Sequence, residues 1–532
     1  MTLFSQVLTH GFLKEIIEQF EIDAASRRIK KHFRLSTEYG STHLSNSKKI
    51  LVEWPQIPSN NLAIGLFIKQ LSKASKANPV AYKIAKARKF SISKNRIKFP
   101  FSVFKSLGIE SFIYLNVAGR IDKKNCVVEI ISKLKDPEEL LSLKYRDIII
   151  GDLIYDTYLT RLRVCTIDLE SIAMQEIVDE AIKCVDLLLD YFSNNRVSSV
   201  IISHSVYLYG ITARVAFLYG AEVFIVQTES IFRLTISNPT PFLKSEFVRE
   251  KISTLSTTEK IEAIASSKIS LSKRFGGQKV PELELSSGIA FRQSEKENAK
   301  IFRNNGRLNV LIATHDFFDA PHCYGNFFYP DFYLWLFRLK ELSKNLNYNW
   351  YIKIHPDARG AMADVIGDLF ANDKNFTILP REISHNDIIN SKIKVALTVH
   401  GTIGMEYPLF GIPVVNASPV NPHFGFDFCI NPSNKKLYEQ TILNLDKITA
   451  PTDSNMIYLF HHIKHNYYPK SWVFEDYNKM LNDLGGWEKS MTTEIYNYYL
   501  DSNNAFSTNT LAAVSKKFIS SNELRVSKKM FL

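Results

Sequence analysis

The chain is poor in cysteine, glycine and proline, and each shortage excludes a class of protein. Its 532 residues include 5 Cys, 21 Gly and 19 Pro. The cysteines are odd in number and far apart, so the sequence indicates neither a disulfide framework nor a zinc site, and we expect a reducing compartment. So little glycine and proline excludes collagen-like chains and Pro/Gly-rich disordered chains.

The sequence also lacks a segment that would direct it to, or across, a membrane. The first twenty residues carry no early positive charge and no small-residue cleavage site, so we expect no secretory signal. The most apolar long stretch, 197–227, contains His204, Arg214 and Glu222, which argues against a membrane span. These features predict a cytoplasmic protein.

Several catalytic motifs are missing. The chain has no P-loop, no Gly-x-Gly-x-x-Gly fingerprint and no Gly-x-Ser-x-Gly elbow. No Asp-x-Asp pair follows a strand in the first half, so we predict that catalysis needs no metal and that no cofactor is required. The basic excess, 66 Lys and Arg against 54 Asp and Glu, predicts an anionic partner.

The basic residues are spread too evenly for a nucleic-acid arm, so we predict no nucleic-acid partner. They are densest at 27–34 and 83–98. Such stretches fit either solvated helix faces or contacts with anionic lipid headgroups. Peripheral contact with the inner membrane therefore stays an open alternative.

Two series of alternating strands and helices follow one another along the chain. The first runs from Lys48 to Gln227 and the second from Leu308 to Ser418, with the charged segment 239–305 between them. This alternation predicts an α/β fold with two Rossmann-like, doubly wound domains facing a cleft. We predict an acceptor-binding domain at 1–300, a donor-binding domain at 301–480, and a C-terminal helix with a loose tail at 481–532.

The strongest motif of the second series is HGTIGME at 400–406. A buried strand delivers His400 to the sheet edge, where ligands bind in such folds. Gly401 and Gly404 permit close backbone approach. Thr402 is predicted to cap the next helix, whose first amides suit a phosphate.

Two further residues complete this part of the predicted donor site. Glu406 lies one helical turn after Thr402, where its carboxylate could accept hydrogen bonds from ribose hydroxyls. Asn416 ends the next strand, in the segment GIPVVN at 411–416. A closing loop over the nucleotide is predicted at 421–423.

A second motif, KIHPD at 353–357, supplies the positive charge. Lys353 and His355 are two residues apart on a strand and so share a face. Pro356 ends the strand. A cation and an imidazole beside a helix N-terminus predict a phosphate clamp. His315, at the end of the first strand of this series, is a further predicted contact to the donor.

The first series offers three candidate catalytic bases. Asp152 and Asp156 follow a strand and lie four residues apart, so they share one face if a helix starts there. Either carboxylate could deprotonate a sugar hydroxyl. His204, at the end of another strand, is the alternative base.

These motifs resemble glycosyltransferases of the B fold. Lys-x-His-Pro followed by His-Gly-Thr-x-Gly-x-Glu and Gly-x-Pro-Val is similar to the Kdo transferases of capsule and lipopolysaccharide assembly and to bacterial sialyltransferases. The resemblance implies that His355 and Thr402 hold the phosphate or ribose of a cytidine monophosphate donor. It covers roughly residues 309–430, with a weaker likeness at 145–220.

The sequence departs from these families in two places. It lacks the acidic Asp/Glu-Asp/Glu-Gly motif of the sialyltransferases, so Asp152 and Asp156 are substitutes chosen by position. It has His-Gly-Thr where the CDP-polyol phosphotransferases usually have Asp-Tyr-Ser-Ser, which favours a sugar donor.

The sequence therefore predicts a metal-independent glycosyltransferase that moves Kdo or another nonulosonate from a CMP-activated donor onto a growing bacterial surface glycan, free or lipid-linked. A UDP-sugar transferase, a sugar-nucleotide 2-epimerase, a CDP-polyol phosphotransferase and a non-catalytic glycan-assembly partner remain alternatives.

Overall fold

The computed structural model describes residues 24–33, 48–54, 56–85, 101–109, 111–117, 123–278, 290–292, 301–355, 358, 360–450 and 453–532. Within these ranges the chain forms two sheets covered by helices. The strands are β1 (Lys48–Glu53), β2 (Ala77–Ala85), β3 (Ser111–Asn116), β4 (Lys144–Tyr145), β5 (Ile148–Ile149), β6 (Val197–Ile202), β7 (Glu222–Val226), β8 (Ile231–Leu234), β9 (Leu308–Ala313), β10 (Tyr348–Lys353), β11 (Phe376–Ile378), β12 (Val395–Thr398) and β13 (Val414–Asn416).

Helices connect and cover these strands. Those up to the end of β8 are α1 (24–33), α2 (Pro58–Ser75), α3 (Phe101–Ser106), α4 (Lys124–Ser132), α5 (Pro137–Leu141), α6 (Gly151–Leu162), α7 (Ile172–Asn194) and α8 (Gly210–Leu218). Those after β8 are α9 (Ser245–Thr254), α10 (Thr257–Phe275), α11 (Phe332–Ser343), α12 (Gly360–Phe370), α13 (His385–Ile389), α14 (Ile403–Glu406), α15 (Lys435–Ile442), α16 (Asn455–His461), α17 (Tyr477–Leu484), α18 (Trp487–Ser490), α19 (Glu494–Asp501) and α20 (Thr508–Ile519).

The first sheet has the strand order β3-β2-β1-β6-β7-β8, and β8 alone in it runs antiparallel to its neighbour. The second sheet has the order β11-β10-β9-β12-β13 and is parallel throughout. Every residue of β10, β12 and β13 is buried, because helices cover both faces of the sheet. The predicted fold class, α/β with two doubly wound Rossmann-like domains as in the glycosyltransferase B fold, is confirmed.

The order of the second sheet places its switch point between β9 and β12. From β9 the chain builds outward through β10 and β11, then crosses to β12 and β13 on the other side. Neighbouring connections diverge at such a point and leave a crevice beyond the carboxyl ends of the strands. His315 follows β9 and His400 follows β12, so both lie at this crevice.

The charged segment after β8 packs on the second sheet. Val248 and Ile252 of α9 and Ala263 of α10 share a hydrophobic core with Leu311 and Tyr351. The sequence prediction assigned these helices to the first domain. Their many charged residues masked the narrow apolar stripe that packs into this core.

The prediction of a loose C-terminal tail is wrong. Helix α20 buries Leu511 and Phe518 against the helices and strands of the first sheet, where Phe518 contacts Phe67 and Phe224. After α20 the chain also buries Val526 in this core. The spaced apolar residues of this segment outweigh its Ser, Asn and Lys content.

The remaining broad predictions concern membranes and charge. No helix among the described residues is long and apolar enough to cross a bilayer. Arg28 of the 27–34 stretch pairs with Asp501 at 2.5 Å, so part of that charge is balanced internally. Most of the 83–98 stretch lies outside the described residues.

Candidate functional site at the carboxyl edge of the second sheet

His315 joins the ends of β9 and β12. Its Nε2 accepts hydrogen bonds from the backbone N–H of His400 at 3.1 Å and of Val399 at 3.4 Å, and it lies 3.2 Å from the Thr398 hydroxyl. Burial and the neighbouring His355 lower the pKa of His315 to about 3, which suits an accepting ring nitrogen. The structure thus uses His315 to hold the β12 end, whereas the sequence predicted a donor contact.

His400 lies among aromatic rings at the same edge. Its ring centroid is 5.0 Å from that of Tyr324 and 5.8 Å from that of Phe327. Its Nε2 is 3.3 Å from the Ser418 hydroxyl. Burial, with His315 and His322 nearby, lowers the pKa of His400 well below its usual value. His400 is therefore a neutral polar group that can donate or accept one hydrogen bond.

Lys353 provides a buried ammonium group at the end of β10. The residue is 6% exposed, and its Nζ is 3.4 Å from the backbone oxygen of Arg381. Burial, together with the charges of Arg292 and Arg381, lowers the pKa of Lys353 to about 8. The predicted cation is thus present, and two arginines and the carboxylates of Glu382 and Asp387 act on it.

Sequence reasoning missed the companions of Lys353. Arg381 follows β11 closely, as His355 follows β10, so its place after a predicted strand was a usable signal. Arg292 comes from the charged segment, and its backbone oxygen accepts a hydrogen bond from Asn386 at 3.3 Å. His385 begins α13, and burial with the charges of Lys353 and other cations lowers its pKa to about 3. No local pattern indicated Arg292 or His385.

His355 lies two residues beyond the end of β10, whereas the sequence predicted that it would share a strand face with Lys353. Its charge contributes to the lowered pKa of both His315 and His385. The backbone N–H of His355 donates to the Thr314 hydroxyl at 3.3 Å and so fixes the end of β10 to that of β9. Pro356 and Asp357 of the same motif lie outside the described residues.

The predicted cap by Thr402 is wrong. Its backbone is already helical, and its exposed hydroxyl donates to the Glu406 carboxylate at 3.3 Å, four residues on.

Close packing explains why positions 401 and 404 are glycine, namely Gly401 and Gly404. A Cβ on Gly401 would meet the Thr398 hydroxyl at 2.6 Å, and one on Gly404 would overlap the His423 ring.

Glu406 has a partner that the sequence did not predict. Its Oε1 lies 2.6 Å from Arg274 Nε, and the two side chains are 1% and 6% exposed. Its other oxygen accepts from Thr402. This carboxylate is therefore occupied by the end of α10, whereas the sequence predicted that it would be open to ribose hydroxyls.

Asn416 is fully buried and also has an internal role. Its amide nitrogen donates to Asn431 Oδ1 at 3.0 Å and contacts Cys429 Sγ at 3.2 Å. The predicted closing loop is held in the same way, since the Asn421 amide donates to the Ser418 backbone oxygen at 2.6 Å. These contacts hold the end of β13 and the loop after it, while Asn416 Oδ1 is buried with no hydrogen-bond partner among the described residues.

In the first half of the chain, α6 begins at Gly151, so Asp152 and Asp156 both lie on this helix. Asp152 forms a bidentate pair with Arg214 at 2.6 and 2.5 Å. The Arg214 guanidinium lowers the pKa of Asp152 against the opposing effect of burial. A carboxylate so paired is a poor base, so the structure makes Asp152 a structural anion.

Asp156 links the two halves through a buried contact. Its Oδ1 is 2.5 Å from Nδ1 of His322, which belongs to the 314–331 loop after β9, and both side chains are at most 2% exposed. Burial raises the pKa of Asp156, and Asp156 in turn raises the pKa of His322 against the effect of burial. His322 Nε2 is buried and has no hydrogen-bond partner among the described residues.

His322 was missed because its role depends on a residue 166 positions away. Two further contacts hold the same loop to the first half. Tyr155 donates to Asp331 at 2.6 Å, and Tyr207, at a φ of +56°, donates to Asp319 at 2.6 Å.

His204 stands apart from these groups. It is exposed at the end of β6, 6.1 Å from the Tyr209 ring, and partial burial lowers its pKa. The structure thus brings His315, Lys353, His355 and His400 together and sets Asp156 close by through His322. Among the described residues, no group of three or more His, Cys, Asp or Glu side chains could hold a metal ion.

Comparison with known proteins gave weak structural likenesses. No protein-family model and no curated protein matches the chain. The Neisseria meningitidis UDP-GlcNAc 2-epimerase bound to UDP-GlcNAc is 12% identical over 78% of this chain and 97% of its own, with a TM-score of 0.26.

Two transferases have similarly low TM-scores. The beta Kdo 2,7 transferase KpsC of Thermosulfurimonas dismutans is 14% identical over 48% of this chain and 79% of its own, with a TM-score of 0.30. A glycosyltransferase of Rickettsia africae is 9% identical over 86% and 100%, with a TM-score of 0.24. These scores are too low to assign a function.

Proposed function

We propose that this protein is a glycosyltransferase that moves a sugar from a nucleotide-activated donor onto a growing glycan. The observation that carries the proposal is the cationic cluster around Lys353, at the crevice beside the switch point of the second sheet. The cations Lys353, Arg292 and Arg381 outnumber the neighbouring carboxylates of Glu382 and Asp387, so the cluster keeps a positive excess that a bound phosphate would neutralise. We infer that the donor phosphate binds between Lys353 and Arg381.

We further propose that the donor is CMP-linked Kdo or another acidic nonulosonate. Such a donor carries a phosphate and a carboxylate, and the cluster offers Arg292 and Arg381 beside Lys353 as partners for two anionic groups. The neutral rings of His315 and His400, whose centroids are 5.8 Å apart, lie at the same edge of the sheet, where the sugar would bind. The His-Pro and His-Gly-Thr motifs support the same donor class.

The acceptor is activated by His322 and Asp156. His322 Nε2 takes the proton of the acceptor hydroxyl while the hydroxyl oxygen attacks the anomeric carbon and the bond from that carbon to the donor phosphate breaks. Asp156 accepts the Nδ1–H bond at 2.5 Å, orients the ring and stabilises the imidazolium that forms. The predicted base Asp156 thus acts through a histidine.

Access to this base requires movement. Asp156 and His322 are both buried where α6 meets the 314–331 loop. An acceptor reaches Nε2 when this loop separates from α6, which breaks the Tyr207–Asp319 and Tyr155–Asp331 contacts. Closing them again excludes water from the reacting centre.

The first test is the thermal stability of the protein with CMP, CDP, UDP, GDP and ADP. A ligand that binds only the folded state at a hundredfold excess over its Kd adds about 2.7 kcal/mol to the free energy of unfolding. We expect CMP to stabilise the wild type and to lose this effect in Lys353→Met. Exposed Lys374→Met is the matched control and keeps it.

The second test is transfer itself. We expect the protein to consume CMP-Kdo and release CMP when a glycan acceptor is present, with the same rate after EDTA treatment. Stabilisation by UDP alone would overturn the CMP donor. Conversion of a UDP-sugar to its 2-epimer without an acceptor would replace the transferase by the epimerase.

A further inference from the structure

A cavity lies beside α10, apart from the donor cluster. Its volume is about 840 Å³, within the usual range for small-ligand sites. None of the predicted donor or catalytic residues lines it. Its wall is formed by α10, the segment 462–470 after α16 and the C-terminal turn Lys528–Phe531, with Leu255 at the end of α9 and Asn478 of α17. The cavity is therefore separate from the residues of the proposed donor site.

The charge of this wall is predominantly positive. Its described lining carries four lysines and two glutamates, namely Lys273, Lys470, Lys528, Lys529, Glu259 and Glu262. Lys529 approaches Glu259 at 4.0 Å, and Lys528 donates to the backbone oxygen of Asn466 at 2.6 Å. The surplus of lysine over glutamate favours an anionic ligand.

The wall also contains polar atoms that lack partners. His462 Nδ1 and Asn478 Oδ1 are shielded from solvent and have no hydrogen-bond partner among the described residues. Both residues also line the cavity. The amide oxygen accepts hydrogen bonds only, and a neutral imidazole nitrogen also accepts. Hydroxyl groups are the donors that would satisfy them.

The backbone of the wall is unusual at the same place. Residues His462–Asn466 form a π-helical turn, in which the Tyr467 N–H donates to the His462 oxygen at 2.8 Å. Such turns are rare and are often found at functional sites. The wider turn sets His462, His465 and Asn466 along one side of the cavity, and Tyr467 and Tyr468 add aromatic surface.

We propose that this cavity binds an acidic saccharide, with its carboxylates at the lysines and its hydroxyls on His462 and Asn478. Helix α10 separates this site from the donor cluster, since Lys273 lines the cavity while the next residue, Arg274, binds Glu406. Under the proposed function the saccharide is a segment of the glycan acceptor away from the reacting end. The binding step itself does not depend on that function.

Calorimetric titration tests the proposal without any nucleotide donor. The probe is an α2,8-linked sialic acid tetramer, and neutral maltotetraose is the comparison ligand. We expect the tetramer to bind, with an affinity about tenfold lower in Lys273→Glu and in Ser266→Trp, which reverses a charge and fills the cavity respectively. Maltotetraose should bind about tenfold more weakly than the tetramer.

Two variants control for charge and for the donor site. Lys374→Glu makes the same change of charge at an exposed lysine that does not line the cavity. Lys353→Met removes the donor cation. Both should bind the tetramer as the wild type does, and thermal melts should show that every variant is folded.

Several outcomes would overturn the proposal. They are unchanged tetramer affinity in both cavity variants, equal binding of maltotetraose, or loss of binding in Lys353→Met. Binding of inorganic phosphate without the tetramer would show a simple anion site and reject the saccharide. Because CMP binding is measured separately, failure here leaves the donor proposal intact.

Discussion

Asp156 and His322 come from opposite halves of the chain, and their Oδ1 and Nδ1 atoms lie 2.5 Å apart in the interface. The pair is electrostatically coupled to the donor edge, because the charge of His322 contributes to the lowered pKa of His400. The dyad therefore lies close to the place where the proposed donor binds. Four predictions follow from this arrangement and from the residues around it.

Replacing Asp156 with Asn should reduce the transfer rate about 10² to 10⁴-fold, the usual contribution of a positioned acid or base. The amide cannot stabilise the imidazolium of His322, so proton uptake becomes unfavourable. Nucleotide binding should be unchanged. Steady-state kinetics with CMP-Kdo and calorimetry with CMP measure the two effects.

Asp152→Asn is the matched control on the same helix. Its carboxylate pairs with Arg214, so the variant should lose about 2 kcal/mol of stability. At temperatures where it stays folded it should keep its transfer rate. Equal rate losses in Asp152→Asn and Asp156→Asn would show that the dyad is only structural.

The pH profile of kcat/KM for transfer should have a rising limb and a falling limb. His322 must be neutral to take a proton, and Asp156 raises the pKa of His322 above the ordinary 6.5. The value of kcat/KM should therefore rise as the pH passes through this raised pKa. Lys353 has a pKa of about 8 and must be charged to bind the phosphate, so kcat/KM should fall above that pH. Rate profiles between pH 5 and 10 measure both limbs.

Two variants assign the limbs. His322→Gln should lose the rising limb along with most of the rate. Lys353→Arg keeps its charge to higher pH, so the falling limb should move upward. A falling limb that stays near pH 8 in Lys353→Arg would remove Lys353 from donor binding.

Breaking the Arg274–Glu406 pair should destabilise the fold strongly. Arg274→Met leaves a carboxylate that is 1% exposed without its partner, which typically costs about 3 to 5 kcal/mol. The double variant Arg274→Met with Glu406→Gln should recover much of this loss, because no buried charge remains. Urea unfolding of the single and double variants gives the coupling energy, and a purely additive result would contradict the pairing.

Gly404→Ala should destabilise the protein through packing. The added methyl overlaps the buried His423 ring, and such overpacking typically costs about 1 to 3 kcal/mol. Gly367→Ala in α12 is the control, since a Cβ there meets nothing within 4 Å. It should stabilise by about 0.5 to 1 kcal/mol through higher helix propensity. Thermal unfolding of both variants should show that stability falls in one and rises in the other.

Much of the fold could be predicted from local pattern. Buried parallel strands are apolar runs, so β6, β9 and β12 were recognisable from short segments, and the residues that follow them had to lie at one sheet edge. The place of His315, Lys353 and His400 follows from this. The helical face shared by Asp152 and Asp156 follows from the 3.6-residue period.

Tertiary structure decided the roles of these residues. Arg274 reaches Glu406 across 132 positions and His322 reaches Asp156 across 166, and neither pairing leaves a trace in local spacing. Periodicity reports only which face of an element is buried. Which charge neutralises which, and which carboxylate stays available as a base, depends on how separate elements dock. The sequence by itself therefore determined the two sheets and the edge where the chemistry lies, and the packing of α6, α10 and the 314–331 loop decided which side chains can perform it.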